Sequence, residues 1–195
     1  MIFSNIVYIF AIRELIIYCV MKHSGMKPQD IVVLLKMIAL KNELWTSARL
    51  ASELKISASE VSGALERCRI AKLVDNTKRK VNVLALEDFL VHGLKYVYPP
   101  QPGAIVRGVA TSFSAEPIKS KIRQGSDSFV WPYKHGSDRG QSVEPLYRTV
   151  PEACLVDSSL YELLVIADTL RMGRVREMEI AINELKIRLN DYAKS

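Results

Sequence analysis

The spacing of hydrophobic positions predicts helices near the start and at the end of the chain, with little regular structure between them. Apolar side chains recur every three or four residues from Pro28 onward and again from Asp157 onward, as on one face of an α-helix. The first stretch predicts three short helices, over residues 28–43, 48–54 and 58–69. The last stretch predicts two longer helices that reverse direction at Gly173 and make a C-terminal helical hairpin.

Short polar side chains mark where two of these helices begin. Ser47 is the predicted N-cap of the second helix, and Ser57 or Ser59 is that of the third, because their hydroxyls can accept from backbone N–H groups. A tight turn is predicted between the two helices, with Ile56 filling the angle that they enclose. The second and third helices are therefore expected to cross closely.

A β-hairpin is predicted directly after the third helix. Leu73-Val74 and residues 81–86 are rich in β-branched and aliphatic side chains, and they flank a polar tip over residues 75–80. The periodicity then returns to a helical one over residues 87–96. The order is thus helix, helix, turn, helix, hairpin and helix.

The middle of the chain is rich in Pro, Gly and Ser, with aromatic side chains scattered among them. This composition predicts an irregular arm with short strands at residues 104–110 and 128–133, held to the rest of the protein by its aromatic side chains. The chain is accordingly divided into four parts, which are an apolar N-terminal extension (1–27), a head (28–95), an arm (96–156) and the helical hairpin (157–195).

The first twenty residues are strongly apolar, but Arg13 and Glu14 interrupt them. A membrane-spanning helix needs about 20 largely uncharged residues, and a signal peptide needs positive charge in front of its apolar region. Three interpretations stay open. The segment is an extension ahead of a start at Met21 or Met26, a helix that packs on the protein or on a partner, or a membrane anchor.

Composition narrows the class of protein. Hydrophobic residues make up 49% of the chain and charged residues 25%, which is typical of a protein that builds a core. Residues 151–195 are acidic overall, whereas the rest of the chain is basic and gives a net charge of +6. Cys19, Cys68 and Cys154 lie too far apart for a disulfide framework or a zinc ribbon, so we expect a cytoplasmic protein without metal or other cofactor.

The stretch from the second helix to the hairpin carries the candidate chemistry. The outer face of the third helix offers short or charged side chains, which allow a helix to enter the major groove of DNA. The hairpin tip carries three consecutive basic residues that can contact phosphates. The predicted DNA-contacting residues are Ser57, Ser59, Ser62, Gly63, Glu66, Arg67, Lys78, Arg79 and Lys80.

This stretch resembles the winged helix-turn-helix transcriptional regulators, and the MarR-like group in particular, over roughly residues 28–95. Gly63 departs from the pattern where these regulators often carry Arg, Cys68 stands in place of Leu, and Lys72 in place of the Gly before the wing. The residues that carry the resemblance are Ala51, Leu54, Ser57, Val61, Ser62, Ala64, Leu65 and Leu73-Val74.

The resemblance implies a mainly α fold with a small β wing, and a sequence-specific regulator that binds double-stranded DNA. We also expect a homodimer, formed through the C-terminal helical hairpin, whose apolar stripes are wider than two helices can cover, or through the apolar N-terminus. We expect no catalytic residue and no contact with a membrane. The acidic C-terminal hairpin leaves one alternative, an antitoxin-like module that holds a partner protein from the same operon through the arm and the hairpin. The DNA sequence, the direction of regulation and any effector ligand are not encoded in these patterns.

Two further residues each have two interpretations. Cys68 on the inner side of the third helix is either a redox sensor or a buried apolar side chain, and burial is the expectation. Trp131, together with Tyr133 and Lys134, either stacks on nucleic-acid bases or anchors the arm, and anchoring is the expectation. His135, Ser137 and Asp138 are too close in sequence to converge as a hydrolytic triad.

Overall fold

The computed structural model describes residues 25–122 and 128–195, which form a mainly helical structure with one small β-sheet. The interpretations of residues 1–20 fall outside these ranges. No helix of the described ranges is both long and apolar enough to cross a membrane. The α-helices are α1 (Pro28–Leu40), α2 (Ser47–Leu54), α3 (Ala58–Ile70), α4 (Val83–Asp88), α5 (Leu94–Val97), α6 (Val150–Cys154), α7 (Ser158–Met172) and α8 (Val175–Lys194). The strands are β1 (Ile105–Ala110), β2 (Phe129–Pro132) and β3 (Asp138–Ser142).

Helix α1 lies at the centre of the molecule. The periodicity predicts a helix with one apolar face, but the structure buries α1 on almost every side, because α2 and α3 cover part of it and α7 and α8 cover the rest. Even its charged residues are buried. Lys36 pairs with Glu53 of α2 and with Asp157 before α7, at 2.5 Å from the Asp157 carboxylate. A single central helix therefore joins the two ends of the chain.

Helices α2 and α3 meet at a tight turn, close to the predicted positions. Thr46, rather than Ser47, is the N-cap of α2, since its hydroxyl accepts from the Arg49 N–H at 3.1 Å. Lys55 ends α2 in the left-handed conformation with φ 57°. Ser57 then caps α3 and forms a capping box with Glu60. Ile56 packs against the core from within the turn, as expected.

The predicted β-hairpin is shorter than expected. Its strands are reduced to one bridge between Val74 and Val81, closed by hydrogen bonds between Asp75 and Lys80. The expectation of a strand over residues 81–86 is wrong, because Asn82 caps a new helix by accepting from the Ala85 N–H at 3.4 Å. Helix α4, a π-helical turn (Phe89–Gly93) and α5 then follow without interruption.

The arm is more regular than its composition predicts. Strands β1 and β2 lie close to the predicted positions, but β3 falls in a stretch that was expected to be irregular. β1 pairs antiparallel with both other strands, and β2 pairs parallel with β3, so the three close on one another. Glycine permits this closure, since a Cβ at Gly108 would lie 2.0 Å from the Trp131 carbonyl oxygen.

The C-terminal helical hairpin forms as predicted and packs back on its own chain. Almost every residue from Leu163 to Leu170 of α7 is buried, against α1, α5 and the turn after β1. Helix α8 covers α7 with Ala181, Leu185 and Leu189 and leaves its opposite face exposed. The wide apolar stripes seen in the sequence are thus explained by contacts within the chain, with no second copy required.

Candidate nucleic-acid interface

The outward face of α3 carries short side chains. Ser59 and Ser62 are exposed, and Glu66 lies one turn further along the same face. Ser57 is exposed too, but its hydroxyl accepts from the Glu60 N–H at 3.1 Å and so is engaged as the helix cap. The opposite face packs on α1 and α2 through apolar residues. Ser59, Ser62 and Glu66 are therefore the predicted contact residues that α3 presents to solvent together.

Arg67 does not belong to this face, which corrects the prediction that it contacts DNA. Its guanidinium forms a two-pronged ion pair with Asp30 of α1, at 2.7 Å from Nε and 2.6 Å from Nη2. Asp30 is fully buried, and the Arg67 side chain is 14% exposed. Gly63 lies beside this pair, and a Cβ there would make a tight contact of 3.2 Å with Arg67 Nη1. Both residues thus serve the junction between α1 and α3.

Glu66 joins α3 to the hairpin tip. Its carboxylate pairs with Arg69 at 2.6 Å and with Lys78 at 2.6 Å. Hydrogen bonds from Arg69 and then Lys78 lower the pKa of Glu66 to about 2. Lys78 is therefore held over the exposed face of α3 by a carboxylate that it shares with Arg69.

Arg79 turns to the other side of the hairpin. Its guanidinium lies 4.7 Å above the centre of the Trp45 ring, and Nη1 donates to the Trp45 carbonyl oxygen at 2.9 Å. Lys80 is exposed beside it. Neither side chain has a carboxylate within 4.0 Å among the residues that the structure describes. The three basic residues of the tip thus differ, because Lys78 is paired and the other two are not.

A groove opens on the side of Arg79, and we call it the basic groove. It encloses about 920 Å³ between the link from α1 to α2 (residues 41–46), the hairpin and the last turn of α8. The Tyr192 hydroxyl accepts from the Val81 N–H at 3.1 Å and fixes α8 to the hairpin. The groove brings Lys41 and Lys194 next to Arg79 and Lys80.

Sequence reasoning missed Lys41, Trp45 and Lys194. Lys41 and Trp45 belong to the α1–α2 link and Lys194 to α8, and none stands in a motif, so only the packing of α8 on the hairpin brings them together. The net negative charge of residues 151–195 also indicates no phosphate contact for α8. The one sequence feature that could have indicated the groove is Trp45, an aromatic residue in a polar link just before a capped helix.

The remaining candidates have structural roles. Burial raises the pKa of the Cys68 thiol to about 12, which removes the thiolate that a redox sensor needs. Trp131 is buried, and its indole N–H donates to Asp168 of α7 at 2.6 Å. It anchors the arm, as expected. Among the described residues, no three His, Cys, Asp or Glu side chains are grouped so as to hold a metal ion.

Comparison of the chain with protein-family models, with curated proteins and with solved structures gave no match. The function is therefore inferred from the shape and charge of the surface formed by α3, the hairpin and the basic groove.

Proposed function

We propose that this chain is a cytoplasmic transcriptional regulator of the winged helix-turn-helix class, which binds double-stranded DNA in a sequence-specific manner. Helix α3 enters the major groove with the face that carries Ser59, Ser62 and Glu66. The β-hairpin acts as the wing and contacts the backbone through Arg79 and Lys80. Short side chains allow a close approach of α3 to the base pairs, and the cations supply the attraction to phosphate.

One observation carries this proposal. A capped helix with an exposed face of short side chains follows a tight turn, and the hairpin that the Lys78–Glu66 pair holds to this helix also carries the unpaired cations Arg79 and Lys80. Duplex DNA fits both features at once, because its major groove accommodates the helix and its phosphates attract the cations. Arg79 also holds the hairpin to the α1–α2 link through Trp45, but this contact leaves its positive charge without a carboxylate partner among the described residues.

A homodimer extends the same proposal, since two modules can read two half-sites and one module buries limited surface. The helical hairpin offers less for self-association than its sequence indicates, because α7 is covered by its own chain. The outer face of α8 keeps Val175 and Ile187 exposed. Light scattering with and without DNA would give the stoichiometry directly.

The antitoxin-like alternative has weaker support. It requires the arm and the helical hairpin to be free to hold a partner. The arm is instead fastened to α7 by Trp131 and by Thr111, whose hydroxyl donates to Asp168 at 2.9 Å. Purification with an untagged operon neighbour would still separate the two functions.

The decisive experiment for α3 is a fluorescence-anisotropy titration with the DNA upstream of the chain's own gene. The double variant Ser59→Glu/Ser62→Glu places two carboxylates on the face that enters the groove and should abolish specific binding. Ser159→Glu/Asn190→Glu adds the same charge at exposed positions of α7 and α8 and should bind like the wild type. Equal binding by both variants would show that α3 does not meet the DNA.

A further inference from the structure

Four cations converge on the basic groove from three parts of the chain. Lys41 follows α1, Arg79 and Lys80 belong to the hairpin, and Lys194 lies in the last turn of α8. Among the described residues that line the groove, Glu43 is the one acidic side chain. It is already paired with Arg49, at 2.5 Å from Nη2. None of the four cations has a carboxylate within 4.0 Å among the described residues, so the side chains of the groove carry a net positive charge.

The groove is also held in shape. Arg79 is stacked on Trp45 at one wall, and Tyr192 is hydrogen-bonded to Val81 at the other. The first contact fixes the hairpin to the α1–α2 link, and the second fixes it to α8. Unpaired cations on a fixed frame need little reorganisation to bind an anion, so less entropy is lost when one arrives.

The anion that fits is an extended one. The groove is open to solvent rather than closed into a cavity, and its four cations come from the α1–α2 link, the hairpin and the last turn of α8. Regularly spaced charges suit such a surface, and the phosphates of a nucleic-acid backbone are the commonest example. The groove lies next to the hairpin tip and shares Arg79 and Lys80 with it.

We propose that the basic groove binds the sugar-phosphate backbone of the duplex beyond the stretch read by α3, an assignment that rests on the DNA-binding function proposed above. Lys41 and Lys194 then contact phosphates on the far side of the wing. Helix α8 thereby takes part in DNA binding through its last turn, although the C-terminal segment is acidic overall. The local arrangement of charge decides the contact, and the net charge of the segment does not.

The test is the salt dependence of duplex binding by the full chain, measured between about 50 and about 200 mM salt. The variant Lys41→Ala/Lys194→Ala should flatten the plot of log K against log salt by about two units, because each lost phosphate contact removes roughly 0.9. Lys119→Ala/Lys186→Ala removes two exposed lysines outside the groove and should keep the wild-type slope. Circular dichroism should show all variants folded, since these side chains are exposed.

A second readout does not depend on affinity. Trp45 is partly exposed and Trp131 is buried, so quenching of tryptophan emission by acrylamide reports on the groove. Saturating duplex should protect Trp45 from the quencher in the wild-type protein.

The possible failures are distinguishable. An unchanged slope for Lys41→Ala/Lys194→Ala, together with a flatter slope for Arg79→Ala/Lys80→Ala, would overturn the groove assignment and leave the proposed function intact. Slopes near zero for every protein would overturn both. Tighter binding of a single-stranded oligonucleotide than of the duplex would show that the groove takes an unpaired strand, which also overturns the assignment.

Discussion

Two grooves flank the C-terminal half of α1, and they use their charged side chains in opposite ways. In the groove between α1, α7 and α8, Arg188 lies between Glu162 and Glu184, at 2.5 and 2.7 Å. In the basic groove, Lys41 and Lys194 have no carboxylate within 4.0 Å among the described residues. Lys41 lines both grooves. The first groove adds Lys121 and Arg188, which are both paired with carboxylates, whereas the second adds Arg79, Lys80 and Lys194, which have no carboxylate within 4.0 Å among the described residues.

The same contrast separates the interior from the hairpin. Arg67 and Arg171 are mostly covered, and each is paired with a buried carboxylate, because an unpaired charge in the interior is very unfavourable. Arg79 and Lys80 lack such a partner and are exposed. Basic residues that look alike in the sequence therefore differ in the structure, and the ones without a carboxylate partner are the candidates for DNA contact.

The largest loss of stability is expected on substitution of Asp168, whose carboxylate is shared by three buried partners. Its carboxylate accepts from Trp131 and Thr111 and pairs with Arg171 at 2.6 Å, and all of these groups are buried. Asp168→Ala should lower the free energy of unfolding by about 4 to 5 kcal/mol. Asp88→Ala removes an exposed carboxylate and should change it by under about 0.5 kcal/mol. Urea unfolding followed by circular dichroism measures both, and similar losses would refute the assigned role.

A smaller loss, about 3 kcal/mol, is expected for Arg67→Ala, because the buried Asp30 is left without its partner. Arg69→Ala is the matched control and should cost much less stability, since Arg69 pairs with the partly exposed Glu66. At a temperature where Arg67→Ala is folded, its DNA affinity should equal that of the wild type. A stable variant with weakened DNA binding would instead restore Arg67 to the interface.

The sequence predicted the helices better than the sites. Short caps such as Ser57 and Asp157 act locally, so the bounds of α3 and α7 followed from neighbouring residues. Strand β3 was missed because its pairing with β1 depends on a segment about thirty residues away. Arg67 was misjudged for a similar reason, since its partner Asp30 lies on another helix. Long-range contacts of this kind leave no periodic signal.

Within the groove between α1, α7 and α8, Arg188→Ala should reduce the free energy of unfolding by about 1 kcal/mol, because the pair is partly exposed. Salt dependence of DNA binding should not change, as the charge of Arg188 is already neutralised. Anisotropy titrations at several salt concentrations provide the check. A flatter slope for this variant would mean that pairing does not decide which cations meet the backbone.

The smallest effect is expected at Lys78. The pKa of Glu66 is about 2, so Glu66 stays ionised and holds Lys78 at any pH above roughly 3. The stability from this contact is full above the unfolded pKa of Glu66 and is lost only as the pH falls toward about 2. Lys78→Ala should therefore change the salt slope of DNA binding by much less than one unit between about pH 5 and about pH 8. A slope flattened as much as in Lys80→Ala would contradict this expectation.

The central claim, that unpaired cations beside α3 bind duplex DNA, is tested most directly by the salt slope of Arg79→Ala/Lys80→Ala against that of the wild type. Fluorescence anisotropy with the upstream duplex gives both slopes under identical conditions. The expected result is a wild-type slope clearly below zero and a variant slope flatter by about two units, with the fold unchanged. Identical slopes for the two proteins would show that the hairpin does not contact the phosphate backbone.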